Sequence, residues 1–213
     1  MNSAETTFAL ETDDRRAVHG TVRPLVRLRF AYADPPYFGL AAKFYGDMHP
    51  DAAAYDRLET HAALIRRLCD EWPDGWAMSL SAKSLRDILP LCPDDCRVGA
   101  WVKGFCSFKP SAKGAQYAWE PVIFRGGRPR DESHCVRDWL QESMTLKRGF
   151  RGAKPDRFVR WVLDLLNADP GDEITDLFHG SGAVTRAIEA WRAEGRLPLY
   201  QANAAPQTGA ERA

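Results

Sequence analysis

The 213-residue chain carries no surplus of charge: 29 Lys and Arg stand against 29 Asp and Glu, a formal net charge of +0. That balance excludes a chain-wide basic field, so a nucleic-acid partner would have to be met by local patches. Long apolar runs are absent as well. Without a stretch of about 18 apolar residues there is no candidate membrane-spanning helix. The opening residues 1–14 are acidic and polar where a secretory leader would be basic and then apolar. A soluble, cytoplasmic protein is expected. Cysteine is sparse: five residues, at 69, 92, 96, 106 and 135, form no paired framework and fit reduced thiols. Cys92 and Cys96 flank Pro-Asp-Asp, but zinc would need two further ligands and His134-Cys135 does not complete the set, so no metal is expected.

What is present is a hydrophobic content of 45%, enough for one domain with a buried core. Val26, Leu28, Phe30 and Tyr32 alternate with Arg27, Arg29, Ala31 and Ala33, which predicts a strand ending at Asp34-Pro35-Pro36-Tyr37. The spacing of Ala62, Ile65 and Leu68 predicts a helix over 61–70, and a strand follows over 76–81. A short helix over 83–91 and strands over 97–103 and 119–125 continue the pattern. After Lys154-Pro155, a helix puts Phe158, Trp161, Val162 and Leu165 on one apolar face. A short strand, a glycine turn and a helix occupy 172–191. Such alternation argues for an α/β fold, a parallel sheet covered on both faces. Residues 1–22 read as a flexible arm, 23–196 as the folded domain, and 197–213 as a last strand or a frayed tail.

Two strand ends stand out. In Asp176-Leu-Phe-His-Gly-Ser-Gly182, a strand delivers the chain to Gly180, Ser181 and Gly182, which lets the backbone turn tightly and bring its amides to a nucleotide-like ligand at a helix start. A helix that merely needs room would use the same glycines. A serine-hydrolase elbow is excluded, because it needs glycines two residues to either side of the serine and His179 and Ala183 stand there. His179 reads as a turn residue. At the other strand end, prolines that cannot donate to a ladder explain a stop, but not an acid and an aromatic ring at the edge where open α/β sheets bind ligands. An exocyclic amino group accounts for all four residues. Its lone pair is delocalised into the ring, and two acceptors, the Asp34 carboxylate and the Pro35 carbonyl, would draw it toward tetrahedral geometry. The fixed proline angles hold that carbonyl in place, and Tyr37 would stack on a base taken out of its helix.

With D34-P-P-Y37 and D176-L-F-H-G-S-G182, the chain resembles the S-adenosylmethionine-dependent amino-methyltransferases of DNA over roughly residues 25–192. The catalytic block comes first, as in the permuted β-type order of adenine-N6 and cytosine-N4 enzymes, and the short adenine methyltransferases of actinobacteria and their phages look most similar. The adenosine-methylating family of eukaryotes is more distantly similar. The resemblance implies a Rossmann-like class I methyltransferase fold with a mostly parallel central sheet flanked by helices, and S-adenosylmethionine as cofactor. It also implies that Asp34, Pro35, Pro36 and Tyr37 hold the target base, that Asp176, Phe178, Gly180, Ser181 and Gly182 line the cofactor pocket, and that Lys154 and Pro155 flank the methionine end. The family places an acid for the cofactor ribose at the end of a further strand, whereas residues 194–203 end without one, which leaves Gln201, Asn203 or another segment as the substitute, or a low cofactor affinity.

Asp at the first motif position favours adenine-N6 in DNA as the target, with RNA adenosine, cytosine-N4 and a non-catalytic nucleic-acid-binding subunit as alternatives. No large target-recognition domain fits in the chain, so selection falls to the loops 38–57, 104–118 and 126–152, or to a partner subunit or homodimer. Those loops carry Lys109, Lys113, Arg125, Arg128, Arg130, Lys147, Arg148 and Arg151 among Phe105, Phe108, Tyr117 and Phe150. Phosphate contact with stacking, or ordinary solvated loop charges, would both produce that mixture.

Overall fold

A computed structural model describes residues 26–46, 50–104, 115, 117–130, 135–144 and 153–195. The expected arm and tail lie outside the described residues. Six strands are formed: β1 (Arg29–Ala33), β2 (Gly75–Ser79), β3 (Arg97–Val102), β4 (Trp119–Gly126), β5 (Trp139–Gln141) and β6 (Glu173–Asp176). With them come α1 (Ala41–Tyr45), α2 (Leu58–Glu71), α3 (Leu85–Ile88), α4 (Asp156–Leu165) and α5 (Ala183–Gly195). A 3-10 segment, Pro50–Asp56, joins α1 to α2. Both this segment and α1 occupy a stretch that the sequence reading left as loop.

The strands form one sheet in the order β5-β3-β4-β2-β1-β6. β1 pairs in parallel with β2 and β6, and β3 with β5, while β4 runs antiparallel to both of its neighbours. The carboxyl ends of the five co-directional strands and the amino end of β4 therefore share one edge. Pro121 sits inside β4, where a ladder donor is ordinarily required. Its carbonyl accepts the amide of Leu80, one residue beyond the end of β2. Since N–H and C=O of a strand residue point to the same side, the missing donor faces a strand that has already stopped.

Period-two alternation in β1 divides the core into two layers. Phe30 and Tyr32 pack with Trp101, Phe124 and the α4 residues Phe158, Val162 and Leu165, joined by Val184 and Ile188 of α5. Ala31 and Ala33 face the opposite layer, with Leu64, Ile65 and Leu68 of α2 beside Trp76, Met78 and Ile88. Small residues on that side of β1 admit the indole of Trp76, which is fully buried. Helices thus cover both faces, and the sheet edge is left for loops.

Candidate active site at the strand ends

Asp34, Pro35, Pro36 and Tyr37 follow directly from β1, and Tyr32 near its end is level with Asp176 at the end of β6. The two special strand ends are therefore adjacent. Beyond Tyr37 the chain enters α1, whose first amides, those of Ala41 and Ala42, donate to the Asp56 carboxylate at 3.0 and 2.9 Å. This tie from the 3-10 segment pins the exit of the turn.

The turn is the centre of a buried charge cluster. Lys154, whose side chain is 3% exposed, places its ammonium 3.1 Å from Asp34 Oδ1 and 3.1 Å from Glu120 Oε2. It also donates to the Tyr37 hydroxyl at 2.8 Å. That hydroxyl lies 2.9 Å from Glu120 Oε2 and 3.2 Å from Asp34 Oδ1, so its single proton serves one carboxylate at a time. Glu120 is held from its other oxygen by the Lys103 ammonium. Rings complete the enclosure: the Lys154 ammonium is 5.4 Å from the centroids of Tyr37 and Trp101 and 5.6 Å from that of Phe158, within cation–π range. Behind the turn, the Tyr32 hydroxyl and Ser79 Oγ are 2.7 Å apart.

Two carboxylates share this pocket and their proton affinities are pushed apart. Burial raises the Asp34 carboxyl above its ordinary range, with Lys154 offsetting only part of the effect. Burial acts the same way on Glu120, but the ammonium groups of Lys154 and Lys103 outweigh it and bring that carboxyl to about 2. Lys154 itself is disfavoured as a cation by burial, yet Asp34 and Glu120 more than compensate and hold it protonated. Glu120 is thus a fixed counter-ion, and Asp34 is the carboxylate whose charge is costly to keep.

At the neighbouring strand end, Asp176 is buried and turns its carboxylate back on the chain. Oδ1 accepts the Phe178 amide at 3.3 Å and Oδ2 accepts from Thr185 Oγ1 at 2.8 Å. Gly180 and Gly182 have φ of +42° and +71°, the left-handed region that disfavours side chains, and α5 starts at the next residue. Among the described residues, the chain neighbours aside, the only heavy atom within 4 Å of an added Cβ at Gly180 would be the Phe178 carbonyl oxygen, at 3.8 Å. Among those residues the space beside Gly180 is open, with room for a ligand at the helix start.

An aromatic chain links the two ends. Phe38, just after Tyr37, meets the His61 ring edge-on at 6.1 Å; His61 meets Tyr55 at 5.6 Å, and Tyr55 meets Phe178 at 5.7 Å. His61 Nε2 is 2.9 Å from the Tyr55 carbonyl, so the proton sits on that nitrogen, and burial lowers the imidazole's affinity for a second one.

The structure thus brings Asp34, Pro35, Pro36 and Tyr37 to the same edge as Asp176, Phe178, Gly180, Ser181 and Gly182. Lys154, expected with Pro155 to flank the methionine end of the cofactor, has its ammonium on the turn after β1, and Pro155 starts α4 by accepting the amides of Phe158 and Val159. Arg125, Arg128 and Arg130 are not brought to this edge, because β4 runs antiparallel and carries them to the far one. There Arg125 pairs with Asp95 at 2.7 Å, Arg128 with Asp172 at 2.6 Å, and Arg130 donates to the Asp164 carbonyl. Lys109, Lys113, Lys147, Arg148 and Arg151 lie outside the described residues. Glu120 and Lys103 were missed by the sequence reading. Their signal is an acid opening one strand and a base closing the previous one, and it acquires meaning only once the β3–β4 register is known.

No family model matches the chain, and no curated protein matches it. Among solved structures the chain is similar to the M1.HpyAVI-SAM complex, with a TM-score of 0.52 and 14% identity over 78% of this chain and 79% of that one. M1.HpyAVI also matches at a TM-score of 0.46 and 17% identity, over 78% of each chain. A candidate DNA modification methylase of Thermus thermophilus matches at 0.46 and 15%, over 80% of this chain and 79% of that one. The first likeness is one of fold: the mixed sheet with helices on both faces is an α/β arrangement of the class I methyltransferase kind.

Proposed function

We propose that the protein transfers a methyl group from S-adenosylmethionine to the N6 amino group of adenine in DNA. The observation that carries this reading is the pairing of β1 with β6, which sets a partly buried carboxylate of raised proton affinity, Asp34, beside an open glycine cradle. S-adenosylmethionine, when bound, supplies an electrophilic methyl group and makes a catalytic metal unnecessary. The cradle at Gly180, Ser181 and Gly182, with Phe178 as a wall, fits its nucleoside part.

The residues of the turn do the rest. Lys154 and Tyr37 both engage Oδ1 of Asp34, which leaves Oδ2 to accept one amino hydrogen while the Pro35 carbonyl accepts the other. With both hydrogens held, the nitrogen lone pair points out of the ring plane toward the methyl group. In the transfer the methyl carbon would pass from the cofactor's sulfonium sulfur to the nitrogen, the S–C bond breaking to leave the neutral thioether as the N–C bond forms. The nitrogen would give up one proton, and a carboxylate whose proton affinity is raised by burial is suited to take it. Glu120 holds Tyr37 and Lys154 in place throughout. Excluded water and fixed dipoles, rather than covalent chemistry, are the protein's contribution.

The test is transfer of labelled methyl to unmethylated double-stranded DNA, single-stranded DNA and RNA, followed by nucleoside mass analysis. N6-methyladenine from DNA is expected. Label in RNA alone or in N4-methylcytosine would redirect the reading to those substrates, and no transfer together with no cofactor binding would leave a non-catalytic subunit.

A further inference from the structure

We propose that the cleft beside β5 is a second nucleic-acid subsite, which takes a nucleotide of the DNA strand some distance from the target base. The inference rests on the DNA methylation reading above and extends it to residues that reading does not use. The cleft has a volume of about 460 Å³, large enough for a nucleotide, and among the described residues its only aliphatic lining residue is Leu140. Two guanidinium groups, Arg137 and Arg157, stand on it with the indole of Trp139, which is 45% exposed. Such an exposed ring between cations is the equipment for stacking one base and meeting its phosphate.

Backbone geometry adds donors. Asp138 and Glu142 make the bonds from this strand to β3, through the Ala100 amide and the Val102 carbonyl. Strand alternation then turns the amides of Trp139 and Gln141 outward, along the edge of the sheet. Arg157 is oriented by Glu142 at 3.3 Å, and the Arg137 guanidinium lies 5.6 Å from the Trp139 ring centroid. One carboxylate among two guanidinium groups leaves the cleft with a net positive charge.

Position links the cleft to the catalytic turn. Gly104 lines it, and the preceding residue, Lys103, reaches Glu120, which holds Tyr37. Four strand spacings separate β5 from β1, roughly 19 Å at about 4.8 Å each. At about 3.4 Å per step along a B-form strand, that span corresponds to roughly five or six nucleotides. In a duplex that offset would carry a strand to the opposite face of the helix, so a target adenine at Asp34 and a base stacked at Trp139 would belong to the same strand where that strand is unpaired between them.

The experiment uses the full chain without cofactor and a single-stranded DNA carrying 5-iododeoxyuridine in place of thymidine. Irradiation joins that base to an aromatic ring stacked on it, and trypsin releases residues 138–147, in which Trp139 is the single aromatic residue. Expected results are a cross-link in that peptide, roughly tenfold weaker DNA binding for Trp139→Ala, and for Arg137→Ala a salt dependence reduced by about one phosphate contact. Circular dichroism of both variants checks that the fold is kept. Cross-links only elsewhere, with both variants binding DNA as the parent does, would overturn the subsite while methyl transfer by the parent chain keeps the enzyme reading. Cross-linking at Trp139 without any methyl transfer would keep the subsite and sink the reaction. A parent chain that neither binds nor methylates DNA would remove both.

Discussion

At the end of β1, Lys154 and Tyr37 hold Asp34 by an ion pair and a hydrogen bond, Glu120 holds both of them and is itself held by Lys103, and three rings close over the central ammonium. One strand away, at the end of β6, His179 and Gly180 are exposed, and the loop is shaped by backbone conformation, with a single buried acid, Asp176, behind it. Charge holds the first end in one geometry before any ligand arrives. Glycine gives the second end its shape and leaves space for a ligand to fill. A transfer reaction has use for both, since the acceptor must be oriented within a fraction of an ångström while the donor must enter and leave.

The largest break in this comparison is Asp34→Ala. Removing the acceptor should lower methyl transfer by about 10²–10⁴-fold, the range for a positioned proton-accepting group, and leave cofactor affinity unchanged because the cradle lies on the other strand. Rates from labelled transfer and affinity from calorimetry separate the two; retained turnover would dismiss Asp34 from the reaction. Next comes Glu120→Gln, which leaves two buried ammonium groups with one carboxylate. Breaking a buried ion cluster from one side costs about 3–5 kcal/mol, to be read from the denaturant midpoint. A variant as stable as the parent would mean that the cluster is not what holds this end.

Acid separates the two carboxylates of the turn. Glu120 has a folded-state pKa of about 2 against an ordinary 4.5, so its contribution to stability is present above 4.5 and is lost as the pH falls from there toward 2. Asp34 is shifted the other way, and its acceptor form disappears as pH falls through that raised value. Turnover should accordingly fail at a higher pH than the fold does. Rate and ellipticity followed down the same pH series check this; coincident losses would contradict the assignment of separate roles.

These details differ in how far the sequence disclosed them. β1 could be read because alternation and the two prolines are local signals, and the glycine turn because positive φ has a compositional signature. The three residues of β5 are too few to show a period, and they form a strand only because β3 offers an edge. Glu120 and Lys103 are ordinary strand-end charges until the register sets Val102 opposite Trp119 and makes them diagonal neighbours. Lys154 is separated from Asp34 by 120 positions, and no local pattern announces a contact of that kind. Motifs were legible where the backbone itself is unusual; the electrostatics that arm them came from tertiary pairing.

At the glycine end the expected effects are smaller and of another kind. Gly180→Val places a β-branched residue at a φ of +42°, where the strain is about 1–3 kcal/mol. Because a Cβ there meets no close atom among the described residues, the fold should accommodate it and the loss should appear in cofactor affinity, about 5- to 150-fold by the same energy. Calorimetric titration with the cofactor and a thermal melt without it measure the two; unaltered affinity would move the pocket away from this loop.

The finest test is Thr185→Val, which removes the hydroxyl held by Asp176 Oδ2 and changes little in size. A buried carboxylate that loses a donor is costly when no water can replace it. Here Oδ1 keeps the Phe178 amide, and Thr185 itself is only half-buried. The expected cost is the net value of one hydrogen bond, about 1 kcal/mol, with cofactor affinity changed by less than about fivefold. A loss as large as that of Glu120→Gln would show that Asp176 and Thr185 lock the second end as tightly as the charge cluster locks the first. The difference between a strand end fixed by charge and one that adapts would then have to be sought in the glycine loop alone.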